Sequence, residues 1–490
     1  MTLNYGWLKL EIAKLVGNLA MDQLICDVIV LEDDKALLTD ITLPPRIPKW
    51  QDTLNYIANP DRFCRVNRAQ YGSIFQTGVF GGTTVFVGSS RAIQMVFNGD
   101  SNYTEIGLPS TTMTMFGEYS LFQRPDLHRQ RKSALSPAFT EQMLEGYLPH
   151  IQRVIGIQLP TWDTAAPLRL VPTVEQVCFD VLAPLLLGIQ LDEKAAFVGL
   201  PVSSKMALKQ LYKTFFDGFY GLLKWQSPLT AFGRGQRARA RLIDFMQAVV
   251  KRRRAVPVPL DPTADFLSMM LASQQTDPES VFSDALIENQ CLLQLWASHY
   301  EVMGLVSSWI YQLGHYPALL QRLRAEQVTV LGEGSDPGTA TLAQLKQMVF
   351  LEATIKETLR ILPPSSTATR RLLKSVVLDG VLYKKDWGLV AEPRLAHASA
   401  DSFAQPERFD PERFLSERGE GRLYEFIPFG GGVHACLGAQ LAMLMMKVFA
   451  VHLLRQFDWK LLGEATFVQF PLKRIRDHYQ IQLVRRLPTA

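Results

Sequence analysis

Disulfide and zinc chemistry find no footing in this 490-residue sequence. Its five cysteines, Cys26, Cys64, Cys178, Cys291 and Cys436, are odd in number and scattered. No CxxC pair and no Cys/His zinc spacing occurs, which excludes a disulfide framework and a zinc finger. Reduced thiols in a reducing compartment are expected. Strong charge of one sign is missing too. A formal net charge of +4 is small for this length; it leaves room for an acidic partner without demanding one. The basic runs RGQRARAR (234–241) and KRRR (251–254) lack interleaved aromatics. They read as solvated helix faces, and no nucleic-acid partner is expected.

The N-terminus has no long apolar run. Charged residues interrupt it every few positions, and it falls short of the roughly 18 apolar residues that a spanning helix needs. A basic segment leading to a small-residue cleavage site is not seen. The expectation is a soluble, cytoplasmic protein without a transmembrane segment. Residues 6–31 read as a helix packed on the body or, alternatively, as an amphipathic helix in peripheral contact with a membrane. Internal repeats and low-complexity segments are also missing.

What is present is mostly helical period. The Pro-rich LPPRIPKW (43–50) marks a boundary between an N-terminal extension, residues 1–42, and one domain, residues 43–490. IFQTGVFGGTTVFVGS (74–89) reads as a hairpin. Helical segments dominate from about 127 to 362, and GEGSDPGTAT (332–341) is a loop. Short strands are expected at 375–392, followed by the meander QPERFDPERFL. The fold class is mainly α with a minor β-sheet region drawn from both ends of the chain.

FGGGVHACLGAQLA (429–442) carries the chemistry. Glycine permits tight turns and close backbone approaches, so Gly430, Gly431 and Gly432 let the chain pass under something flat and bulky. Cys436 stands just before a helix reading from Ala439 to Phe449. Backbone N–H groups at a helix start favour a thiolate, either a nucleophile or a metal ligand. A nucleophile needs a base, and His434, two residues away, need not face the sulfur. A plain buried thiol is the remaining alternative, which the glycines and the spacing weigh against.

The spacing Phe429-x-x-Gly432-x-x-x-Cys436-x-Gly438 resembles the haem-thiolate loop of the cytochromes P450. The resemblance implies haem b between a long central helix and the Cys loop, with Cys436 as axial iron ligand. It places Phe429 against the ligand loop and His434 toward a haem propionate. Glu357-x-x-Arg360 and Arg413, in PERF (411–414), match the family's structural Glu-Arg-Arg network. LHRQRKSALSPAF (127–139) is similar to its C-helix, so His128 and Lys132 match propionate-binding positions, with Lys where Arg is usual. Arg370, after Pro363 and Pro364, matches another, although Arg371 beside it leaves the register open. The resemblance covers residues 45–485 and is nearest to soluble microbial relatives of retinoid and sterol hydroxylases.

The central helix departs from the family. Within 285–317, Leu293, Ala297, Glu301 and Leu305 are four apart and share a face. The family signature Ala-Gly-x-(Asp/Glu)-Thr becomes Ala297-Ser298-His299-Tyr300-Glu301. Ser298 replaces glycine, Tyr300 the acid and Glu301 the alcohol that guides protons. A partly desolvated carboxyl has a raised pKa and can shuttle protons near neutrality. Glu301 is therefore read as a proton relay in an oxygen-using cycle, as the acid–base group for hydrogen peroxide, as a substrate anchor, or as a structural residue. A pocket is expected between Leu108–Phe122 (with Met113, Met115 and Phe116), the central helix and the polar wall Ser365, Ser366, Thr367 and Thr369.

The function implied is a monooxygenase-type oxidation of a hydrophobic metabolite, such as a product of secondary metabolism: hydroxylation, coupling or desaturation. Electrons would come from a separate acidic ferredoxin or flavodoxin, steered by Lys447 and Arg129 on a monomer. The rivals are a peroxide-using enzyme, a peroxide-rearranging isomerase or lyase, and a haem-binding sensor without turnover.

Overall fold

The computed structural model describes residues 28–31 and 41–486, apart from 101, 123–124, 192–196, 222–223, 256–260, 262, 278, 366–367 and 470–471. Most of the helix expected over 6–31 lies outside these residues, as do Cys26, Ser366 and Thr367. The described end of that stretch corrects the expectation: Ile29–Leu31 is a strand, β1.

Helix α1 (Pro60–Tyr71) begins where Asn59 accepts the N–H of Arg62 and ends at Gly72, whose φ is 84°. The expected hairpin follows as β2 (Ile74–Thr77) and β3 (Thr84–Val87), paired antiparallel. Then come α2 (Ser90–Asn98), β4 (Thr104–Ile106) and α3 (Pro125–Leu135). Helices α4 (Leu170–Leu187) and α6 (Ala231–Arg254) pack on α7 (Asp284–Gly314), and α5 (Lys205–Gly218) packs on α6 and reaches α7 through Phe216. Helix α7 has 31 residues, starts at a cap where Ser283 accepts the N–H of Leu286, and stops just before Pro317. Helix α8 (Val349–Ile361) leads into β5 (Ala368–Leu372), β6 (Ser375–Leu378), β7 (Val381–Tyr383) and β8 (Gly388–Ala391). After the meander, α9 (Ala439–Gln456) runs on seven residues beyond the expected end, into β9 (Phe457–Leu461) and later β10 (Gln480–Arg485).

The sheets join distant parts of the chain. One has the order β2-β3-β8-β5-β4, with only β3 and β8 parallel. Another, β1-β6-β7, ties residues 29–31 to the C-terminal half. The largest apolar cluster is helical and is centred on α4, α7 and α9; two smaller ones lie against the sheets. Among the described residues one helix, α4, is long and apolar enough to span a membrane, but 78% of it is buried inside the protein. Its apolarity is accounted for by packing against α7.

Candidate active site

The Cys loop turns where glycine is required. Gly432 has φ 62°, and a Cβ there would lie 2.3 Å from the Phe97 carbonyl oxygen. A Cβ on Gly431 would lie 2.4 Å from the Phe97 ring. The glycines thus seat the loop on the end of α2. At Gly438 the space is looser, the nearest atom being 3.8 Å away on Phe139. Gly432→Ala adds left-handed strain of about 1–3 kcal/mol to that clash. A lower Tm and faster haem loss than in Gly438→Ala are expected, read by thermal denaturation and haem transfer to apomyoglobin.

The N–H of Cys436 donates to the Phe429 carbonyl at 2.9 Å, fixing Phe429 beside the loop. The Cys436 side chain is exposed, unlike Cys64, Cys178 and Cys291. Burial nevertheless raises its thiol above the ordinary value; Glu301 pushes the same way, against the Gly438 and Ala439 N–H groups and Lys132. The helix-start N–H groups favour the thiolate as expected, and burial outweighs them. Coordination to a metal ion deprotonates a thiol outright.

Helix α3 clamps this loop. Lys132 Nζ donates to the carbonyls of Val433 and Ala435, each at 2.6 Å. His128 sets one ring nitrogen on Leu121 O at 2.7 Å and the other on Val433 O at 3.2 Å. The His128 and His434 rings lie 3.9 Å apart. His434 Nε2 bonds Asp100 Oδ1 at 3.1 Å, and its buried Nδ1 has no partner among the described residues. Arg370 is buried, its pKa pushed down to about 10 by desolvation, and its Nε is likewise unpartnered. Arg371 is turned outward to Glu105. Asp100 carries no sequence signal of its own. Burial raises its carboxyl, but His434 and Arg370 outweigh this and hold it low.

Beneath the loop, Arg360 Nε meets Glu357 at 2.7 Å and Arg413 Nε meets the same carboxylate at 3.1 Å. All three side chains are at most 1% exposed. Arg360 also donates to the carbonyls of His397, Pro406 and Arg408, stitching the meander to α8.

On α7, Ala297 is exposed while Leu293 and Leu305, on the same face, are buried. Ser298 Oγ donates to Leu295 O within the helix. His299 is buried, bonds the Glu175 carbonyl at 3.3 Å, and is pushed down to about 3. The Tyr300 ring packs 4.3 Å from Phe216 of α5. Glu301 differs from all of these. Its Oε2 is buried without a partner among the described residues, and desolvation lifts its carboxyl to about 8. Its charge reaches both Cys436 and Tyr220, so α7 and the Cys loop face each other.

An apolar wall adjoins this space. Phe116 meets Phe122 at 4.3 Å and Trp296 at 5.0 Å, and Trp296 stacks on Phe219 at 4.3 Å. Met115 is packed core instead, wedged at the contact of Gly218 with Gly235. Phe216 and Phe219 were not foreseen; only contacts made over some 80 residues of chain reveal them. Lys447 is a correction. It is buried, with Nζ on Leu345 O at 3.0 Å and on Glu352 at 2.7 Å, so it steers no partner. Arg129 is exposed.

An exposed sulfur, an exposed alanine opposite it and the unpartnered buried Nε–H of Arg370 fit a flat, anionic, thiolate-ligated group such as haem. Comparison with known proteins agrees. The cytochrome P450 family model matches residues 42–475. "Putative cytochrome P450 120" of Synechocystis sp. is 31% identical over 91% of this chain and 98% of its own. Cytochrome P450 26A1 of Gallus gallus is 29% identical, covering 86% of each chain. The solved structure "Retinoic acid bound cyanobacterial CYP120A1" superposes with a TM-score of 0.80 at 29% identity, covering 91% of this chain and all of that one. The chain belongs to the cytochrome P450 family of haem-thiolate monooxygenases.

Proposed function

We propose that this enzyme oxidises an elongated lipophilic molecule, with Cys436 as the thiolate that would hold the haem iron and Glu301, across the space from it, as the group that carries a proton. Haem bound through Cys436 supplies the oxidising chemistry, electron push from the sulfur favouring O–O cleavage. Arg370, whose buried Nε–H is free, would hold a propionate, and His434 would join it in its protonated form, while His128 and Lys132 hold the loop. Exposed Ala297 would leave room for the haem, and Ser298 and Tyr300 shape the helix around it. The catalytic domain is residues 43–490, acting as a soluble monomer with a separate ferredoxin- or flavodoxin-type donor, for which exposed Arg129 is a contact. The aromatic wall supports a lipophilic substrate, and retinoic acid in the similar cyanobacterial structure points to the same class.

One observation carries the reading: the unpartnered, buried Oε2 of Glu301 opposite Cys436. With a pKa of about 8, the carboxyl is protonated at neutrality and able to donate. Donor-driven turnover then falls as pH rises through about 8, and Glu301→Gln loses that limb along with roughly 10²-fold in kcat.

The same oxygen atom favours a second reading, with hydrogen peroxide as oxidant. Here Glu301 first takes a proton, so it must be ionised, and turnover rises through the same pH. Product formation with reductase and oxygen, and separately with peroxide, measured on both sides of that pH in wild type and Glu301→Ala, decides between them. Turnover that ignores both the residue and the pH refutes both.

A further inference from the structure

A recess of about 530 Å3, distinct from the space between α7 and the Cys loop, opens where α1, the end of α8, the turn at Pro393–Ala396 and residue 473 meet. Helix α1 places Asp61, Arg65 and Arg68 four and three residues apart, on one face. Five cations line the recess, Arg65, Arg68, Arg360, Arg394 and Lys473, against the carboxylates of Asp61 and Glu407. Some of that charge is already met. Arg360 is committed to Glu357. Asp61 is shared by Arg394 Nε and Lys473 Nζ, each at 2.8 Å, and Arg394 also reaches Glu392 at 3.2 Å.

Two observations show that the set is still short of an anion. The Arg394 side chain is only 5% exposed, yet its Nη2 has no hydrogen-bond partner among the described residues. A buried guanidinium donor left unpaired is costly. In addition, exposed Arg65 has no ion pair among the described residues, whereas Arg68 donates to the Ala398 carbonyl and feels the charge of Asp401. Guanidinium groups converging in a recess of metabolite size are a chemistry for phosphate and carboxylate.

We infer that this recess binds a small polyvalent oxyanion, a metabolite bearing phosphate or several carboxylates. It does not depend on the role of Glu301. Its position ties it to the substrate side: Pro363 lines it, and the N–H of Lys473 donates to the Pro364 carbonyl at 2.9 Å.

Isothermal titration of the haem-loaded protein with pyrophosphate, and separately with citrate, tests this. Saturable binding with Kd below about 1 mM is expected for at least one probe, and the tighter of the two tells phosphate from carboxylate chemistry. Arg65→Glu, at an exposed position, is expected to weaken that binding about tenfold with an unchanged Soret band and Tm. Arg68→Ser is expected to do the same. Should loss of its bond to Ala398 unfold that variant, Arg65→Glu decides alone. Absence of saturable binding by both probes, or the same affinity in wild type and Arg65→Glu, overturns the inference.

Discussion

Cys436→Ser is expected to lose all donor-driven product formation while keeping its fold. The substitution exchanges one exposed atom at the end of a loop whose shape is set elsewhere. The Gly431 and Gly432 contacts with Phe97, the Cys436 N–H bond to Phe429 and the Lys132 clamp on Val433 and Ala435 all survive it. The ligand does not survive. An alcohol is a far weaker base than a thiolate and cannot push electron density in the same way. The measurement is product formation together with electron paramagnetic resonance of the ferric protein. The thiolate signature should vanish, with circular dichroism unchanged. Persistent thiolate ligation would move the axial role to another sulfur. The other described cysteines, Cys64, Cys178 and Cys291, are buried away from the loop, which makes them poor candidates.

Glu357→Gln is the second large effect, and it falls on stability. Glu357 is the shared carboxylate of two buried arginines. Removing its charge leaves both guanidinium groups buried without full compensation, at a cost of about 3–5 kcal/mol. Because Arg360 and Arg413 also hold meander carbonyls, the loss spreads toward the Cys loop. Against a total stability of about 5–15 kcal/mol, the variant should show a large drop in urea midpoint and poor haem retention. The exposed pair Lys213–Asp217, with both side chains more than half exposed, is the control. Breaking it should change stability by less than about 1 kcal/mol. Similar losses from the two substitutions would contradict the burial argument.

The sequence was most legible where its signals are local. The Cys loop, Glu357-x-x-Arg360 and the face of α7 carrying Ala297 and Glu301 rest on spacings of a few residues, and helical or turn geometry converts spacing directly into position. The hairpin at residues 74–87 was legible for the same reason. What it hid depends on packing between distant segments. Lys447 reads as a surface cation, yet α9 is buried almost all round and its lysine turns to Glu352, 95 residues away. Asp100 carries no local signal, yet it lies beside His434. Strand β1 emerged from a stretch with helical period because its partner, β6, is more than 300 residues away. The aromatic residues of α5 joined the site only through the packing of α5 beside α7.

Proton donation by Glu301 requires that its carboxyl hold a proton at neutral pH. Infrared difference spectroscopy of the haem-loaded protein, wild type against Glu301→Gln, tests it directly. A protonated-carboxyl band should be present at pH 7 in the wild type, missing from the variant, and lost as pH rises through about 8. A carboxylate band already fully developed at pH 6, assigned to Glu301 by the same substitution, would contradict the account.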